Sequence, residues 1–169
     1  ESMYGFHLPK GLQVDFAKVI QDISEEEGEV SPERVYDTFI EEYVDIDEPY
    51  RFIQQKLIDI SEDASELERR AQIPIEAHGE VTTLTGYGNG PIDAVKNALN
   101  SLPELHSHLL DYSEHALTSG SSSKAAAYVY LRAKGSARQE YGVGIHPNIT
   151  TATVKAIISG MNRLYKTLK

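Results

Sequence analysis

The same six-residue pattern, G-x-G-x-x-P, occurs twice in this 169-residue chain: Gly86-Tyr87-Gly88-Asn89-Gly90-Pro91 and Gly142-Val143-Gly144-Ile145-His146-Pro147. Each copy sits where a strand-like pattern gives way to a helix-like one. Before the first copy, residues 52–60 are apolar and β-branched. Ala71, Ile73, Ile75 and Ala77 then alternate with polar neighbours, His78-Gly79 turns the chain, and residues 81–85 form a third strand. After it, residues 91–102 carry Ile92, Val95, Ala98, Leu99 and Leu102 on one helical face. The second copy has the same surroundings. Strands are predicted at 109–117, at 127–133 after a turn at Gly120–Ser123, and at 140–145, followed by a helix over 151–168. An order of β-β-β-α, met twice with the same junction, is an internal repeat. The predicted fold class is therefore α+β, two β-β-β-α repeats forming a pseudo-symmetric domain. Pro74 cannot donate a ladder hydrogen bond, so its strand is expected at an edge or with a bulge.

The front of the chain reads as a helical hairpin. Leu12, Phe16, Val19, Ile20 and Ile23 lie on one helical face, and an acidic turn is expected over residues 25–29. Ser31-Pro32 has the form of an N-cap followed by proline at the first helical position. Val35, Tyr36, Phe39, Ile40, Tyr43 and Val44 then make a second apolar face. Such a hairpin needs a partner surface for its apolar sides. The expected division is a helical linker over 1–49 and the repeated domain over 50–169, with repeats of about 50–104 and 105–169.

Charge follows the same division. The net charge of −10 argues against nucleic acid as a partner. It divides into −12 up to residue 70 and +2 beyond it. No apolar run approaches the ~20 residues of a membrane span, and the start has no signal-peptide pattern. The absence of cysteine excludes a disulfide scaffold, a thiolate metal site and a thiol nucleophile.

Few catalytic constellations exist. No Lys-Ser or Lys-Thr follows the glycines, so neither junction is a P-loop. A proline at the third glycine and the β-β-β-α order exclude a dinucleotide fingerprint. His106 and His108 share a face if they lie on a strand, but no third ligand stands at motif spacing, which favours surface histidines. Asp111, Ser113 and His115 share a strand face at ~7 Å spacing, too far apart for a triad. What remains is the pair of junctions. Glycines at a strand-to-helix turn let backbone N–H groups approach a ligand, and a helix start favours an anion. The bland alternative is that the glycines only permit a tight turn. The residues point to a binding module and not to an enzyme core.

Several runs carry a resemblance. Gly86–Pro91, Leu110-Asp111-Tyr112-Ser113-Glu114-His115-Ala116, Ala125–Val129, Gly142–Ile145 and Ile149-Thr150-Thr151-Ala152 resemble the C-terminal regulatory domain of 2-isopropylmalate synthases. Leu8-Pro9-Lys10, Leu12–Phe16 and Gly28-Glu29-Val30-Ser31-Pro32 are similar to the linker that precedes it in that family. The resemblance implies a parent acyltransferase that joins acetyl-CoA to 2-oxoisovalerate in leucine biosynthesis, and a cytoplasmic setting. The catalytic (β/α)₈ barrel of that family, with its divalent metal, needs ~250 residues. It would lie outside this chain, which would hold no cofactor of its own. Opening at Glu1 without an initiator methionine fits a fragment.

The resemblance also implies a homodimer and L-leucine as feedback effector, with no nucleic-acid or membrane partner. Carried over by motif, the effector site would comprise Gly88, Asn89, Gly90 and Ile92 from the first junction, and Leu109, Tyr112 and Ala116 from the next strand. Ser123 and Ala125 would follow it, and Pro147, Asn148 and Ile149 would come from the second junction. Glu114 is a candidate partner for the ligand's ammonium. Leu109 and Tyr112 have opposite parity, so both can meet one ligand only across a bulge or from two walls. Two alternatives remain: an isoleucine-binding domain of the citramalate synthase kind, and a purely structural dimerisation module.

Overall fold

The computed structural model describes residues 5–53, 56–59, 69–102, 106–117 and 123–168. Glu1–Tyr4, Ile60, the 104/105 repeat boundary and most of the Gly120–Ser123 turn lie outside them. Two helices open the chain: α1 over Lys10–Glu27 and α2 over Pro32–Tyr43. Ser31 caps α2, its hydroxyl accepting the Arg34 N–H at 3.1 Å. The acidic turn expected over 25–29 is a turn only at its end. Residues 25–27 continue α1, because the chain turns at Gly28, whose φ of +86° suits glycine alone among common residues.

The first repeat follows. Short strands β1 (Arg51–Phe52) and β2 (Lys56–Asp59) lie along one side of β3 (Arg69–Ala77), and β4 (Glu80–Gly88) pairs antiparallel on its other side. Helix α3 (Pro91–Leu99) packs across β3 and β4. One strand was expected over 52–60 where two short ones exist. Pro74 corrects a further expectation: β3 is central, not an edge. The Pro74 carbonyl accepts the Ile53 N–H at 3.3 Å. Because N and O of a strand residue point the same way, its missing N–H faces Ile53 just past the end of β1, so only one bond of that pair forms.

The second repeat has the same plan. Strands β5 (Ser107–Ala116), β6 (Ala125–Ala133) and β7 (Gln139–His146) form an antiparallel meander, and α4 (Ile149–Leu168) packs on β6 and β7. Both repeats give their inner faces to one core. Ala71, Ile73, Ile75 and Leu84 join Val95 and Leu99 from the first, and Val129, Leu131, Ile157, Ile158 and Met161 join them from the second.

The outer face of the β5–β7 sheet is covered as well. Ala126, Tyr128, Tyr141 and Val143 form a second core with Leu12 of α1 and Phe39 and Tyr43 of α2. This is the partner surface that the apolar sides of the hairpin required. Burial on both faces explains the unbroken buried run of Ala126–Val129 in β6. Among the described residues, no helix is long and apolar enough to cross a membrane.

Candidate functional site

The G-x-G glycines do something other than turn the chain. Gly86 and Gly88 belong to the end of β4, and Gly142 and Gly144 to β7. Each faces its own helix at a distance that excludes a side chain. A Cβ on Gly86 would stand 2.6 Å from Ala98 Cα, and one on Gly88 2.6 Å from Ala94 N. On Gly142 it would meet Gly160 Cα at 2.7 Å, and on Gly144 Ala156 N at 2.5 Å. Both motifs therefore let a helix lie directly on a strand. Gly90 differs: nothing lies within 4 Å of its Cβ position, at the N-cap of α3.

The two helices begin beside one another, and the space between their first turns is a cavity of about 150 Å³. Pro91, Ile92 and Val95 of α3 line it from one side, and Ile149, Thr150 and Thr153 of α4 from the other. Tyr112 and Glu114 of β5 form its third wall. The volume is small beside the ~300–1,000 Å³ of pockets for drug-sized ligands, and is on the scale of one amino acid. The Tyr112 hydroxyl donates to the Glu114 carboxylate and lies 3.1 Å from the Thr153 hydroxyl. Burial, and then the bond to Glu114, push the Tyr112 phenol up to about 12. The Thr153 hydroxyl is 3.0 Å from the Ile149 carbonyl, back across the first turn of α4.

The electrostatics of the two helix starts differ. Neither first turn can bond its own N–H groups within the helix. Helix α3 carries Asp93 there, which disfavours an anion, whereas α4 has no acid in its first turn. Asn148 caps α4 by accepting the Thr151 N–H at 3.1 Å. The arrangement offers an anion a place at α4, a cation a place at Glu114, and an apolar group the walls formed by Ile92, Val95 and Ile149.

Of the site residues expected from sequence, Ile92, Tyr112 and Ile149 line this cavity, together with Glu114. Leu109, Tyr112, Glu114 and Ala116 all share the helix-facing side of β5. A bulge between Leu109 and Asp111 makes this so: Leu109 pairs with Leu131, Asp111 with Tyr130 and Tyr112 with Val129. Ala116 pairs with Ala125, one rung beyond Glu114 and Ala127 on the same face. Gly88, Asn89 and Gly90 precede α3, and Pro147 and Asn148 precede α4, none of them on the cavity wall; Ser123 lies just before β6. Pro91, Val95, Thr150 and Thr153 line the cavity without having been expected. Their positions at the start of each helix follow from where the helices begin, which local pattern fixes only to within a turn.

The other face of β5 carries Asp111, Ser113 and His115. His115 Nε2 accepts the His7 N–H at 3.2 Å and lies 2.8 Å from the Tyr128 hydroxyl, and its Nδ1 lies 2.9 Å from the Ala116 carbonyl. It thus ties the N-terminal segment to the sheet. The rings of His106 and His108 stand 5.9 Å apart. Among the described residues, no group of three or more His, Cys, Asp or Glu side chains is arranged to hold a metal ion.

Fold and cavity define a class: a duplicated β-β-β-α module with an amino-acid-sized site where its two helices begin. More particularly, the chain belongs to the LeuA allosteric (dimerisation) domain family, whose model matches residues 29–165. It is 41% identical over 161 residues to a 2-isopropylmalate synthase of Mycobacterium leprae, covering 95% of this chain and 26% of that protein. A 2-isopropylmalate synthase of Clostridium acetobutylicum is 40% identical over 167 residues, 96% of this chain and 29% of the relative. One from Cupriavidus taiwanensis is 34% identical over 164 residues, 96% and 27% respectively. The chain spans between a quarter and three-tenths of the length of these relatives.

Proposed function

We propose that the chain is the effector-sensing part of a 2-isopropylmalate synthase and that it binds L-leucine between the first turns of α3 and α4. The observation that carries this reading is the cavity itself, which joins two helix starts, one carboxylate and an apolar wall in a volume of about 150 Å³. The ligand's carboxylate lies at the start of α4, its ammonium meets Glu114, and its isobutyl group packs on Ile92, Val95 and Ile149. The relatives' names support the parent reaction, condensation of acetyl-CoA with 2-oxoisovalerate on a metal-dependent barrel encoded outside these residues. The family's dimerisation role supports a homodimer. Inhibition requires that leucine bind one arrangement of the parent enzyme better than the other.

A thermal-shift titration tests the reading. Leucine at ~100 times its dissociation constant stabilises the folded chain by about 2.7 kcal/mol, worth roughly 5–10 °C in a domain of this size. Isoleucine and valine run beside it. A larger shift with isoleucine would reassign the effector. No shift with any of the three would leave a dimerisation module without a ligand.

A further inference from the structure

Helix α4 has a second set of partners far from the cavity. Three polar side chains near its C-terminal half, Ser159, Asn162 and Arg163, are 0%, 0% and 9% exposed. Ser159 and Asn162 bond to the end of α2 and the stretch that follows it, and Arg163 to the last turn of α2. The Ser159 hydroxyl donates to the Tyr43 carbonyl at 2.6 Å and accepts the Ile46 N–H at 3.0 Å. Asn162 donates to the Ile46 and Tyr50 carbonyls, each at 2.8 Å, and accepts the Tyr50 N–H at 3.1 Å. Arg163 pairs with Glu42 at 2.9 Å and lies over the Tyr43 ring at 4.1 Å. Its other nitrogen donates to the Tyr141 carbonyl at 2.7 Å and meets Glu140 at 2.9 Å.

Residues 44–50 have almost no regular structure, so these side chains satisfy the backbone groups that a helix or sheet would otherwise satisfy. A buried polar seam of this kind is costly to leave half made. When α4 moves, residues 42–50 move with it or the seam breaks. Tyr43 extends the connection to α1, its hydroxyl donating to Asp15.

We propose that α4 is the coupling element of this domain: occupancy of the cavity at its first turn sets the position of residues 42–50, and through them of α1 and α2, by way of the Ser159–Asn162–Arg163 seam. The proposal rests on the reading of the cavity as the effector site and adds how that site is heard elsewhere. Cavity and seam lie on one 20-residue helix, about 15–20 Å apart at 1.5 Å per residue. The helix is buried over nearly all of its length from Ala152 to Leu164, so it shifts as a unit within a close-packed interior.

Residue-resolved amide exchange on the 169-residue chain tests this in two arms. In the first, saturating leucine changes exchange at Ile46 and Tyr50 by about fivefold or more, the lower end of ordinary site-to-site coupling. Ser159→Ala retains the leucine-induced rise in Tm and loses the exchange response at Ile46. In the second, Ile149→Trp fills the cavity mouth without ligand and changes exchange at the same two amides by a similar factor. A rise in Tm with leucine but unaltered exchange at residues 43–50 overturns the coupling, and so does an Ile149→Trp chain with wild-type exchange there. An undiminished response in Ser159→Ala removes the seam from the route. Absence of any leucine shift overturns the sensor reading alone, and the Ile149→Trp arm still decides the coupling.

Discussion

Leu109 and Tyr112 stand three residues apart on one strand and still pack against the same core. Leu110, bulged between them and 41% exposed, takes up the odd residue. Opposite parity in a regular strand sends two side chains to opposite faces. The bulge cancels this, bringing Tyr112, Glu114 and Ala116 to the side of β5 that looks toward the helices.

Deleting Leu110 removes the device. The pairs Leu109–Leu131, Asp111–Tyr130 and Tyr112–Val129 then become consecutive rungs of a regular ladder, and Tyr112, Glu114 and Ala116 keep their face. One residue inserted after Asp111 does the opposite and turns Tyr112, Glu114 and Ala116 away from the helices. The expected outcome is that the deletion chain keeps its leucine-induced shift while the insertion chain loses it together with a fall in Tm, read in one thermal-denaturation series. An insertion chain that keeps its wild-type leucine response would show that Tyr112 and Glu114 do not form the site.

The glycines of the repeated motif should divide sharply. Gly86→Ala and Gly142→Ala press a methyl group into the backbone of the covering helix and cost more than about 3 kcal/mol, since close-packed interiors yield little. Gly90→Ala faces open space with φ of −140°, a conformation any residue adopts, and should change stability by less than about 0.5 kcal/mol. Chemical denaturation of the three variants checks the contrast. Equal costs at Gly90 and Gly142 would contradict the helix-on-strand account.

Glu114→Gln keeps the shape of the cavity wall and removes its charge. Leucine affinity should fall by about tenfold or more, because a charged hydrogen bond is worth roughly 1.5–3 kcal/mol. Calorimetric titration measures it, and a compound lacking the ammonium group should lose its sensitivity to the substitution. Affinity unchanged in Glu114→Gln would place the ammonium elsewhere.

Lys96 gives the domain a pH signature. Its ammonium is buried against the Ser107 carbonyl and hydroxyl and Asn100 Oδ1, and burial pushes it down to about 8. The unfolded chain holds this proton up to ~10.4. Between pH 8 and that value the unfolded state binds more protons than the folded one, so the Lys96 contribution to stability rises with pH and is most unfavourable below 8. Denaturation midpoints should climb from pH 8 to 9.5 in the wild type, and the climb should flatten in Lys96→Met. Parallel slopes in the two chains would assign the effect to other groups.

Much of this architecture was legible locally. Strand alternation in 71–77 and 127–133, the face of 91–99 and the Ser31-Pro32 cap each specify their own element. The repeat was visible because both junctions kept the same letters. What escaped was set by distant neighbours. The purpose of Gly86 and Gly142 depends on helices that follow them in sequence and lie across them in space. Pro74 reads as an edge residue until the short β1 and β2 beside it are known. Residues 25–27 look like a solvated turn because helical continuation through three glutamates leaves no apolar mark. In the candidate site, Ile92, Tyr112, Glu114 and Ile149 could be anticipated, whereas Val95, Thr150 and Thr153 depended on the offset between the two helix starts.

The two-sided burial of the β5–β7 sheet has a consequence for how such a domain can be inherited. Strands β1–β7 with α3 and α4 make up both repeats, yet without α1 and α2 they would present Tyr128, Tyr141 and Val143 as a bare apolar patch. A recombination event that grafted the repeats onto another enzyme and left the preceding helices behind would deliver a sticky sheet. The transferable cassette therefore begins upstream of Leu12, and the helices that look like a tether travel as part of the module.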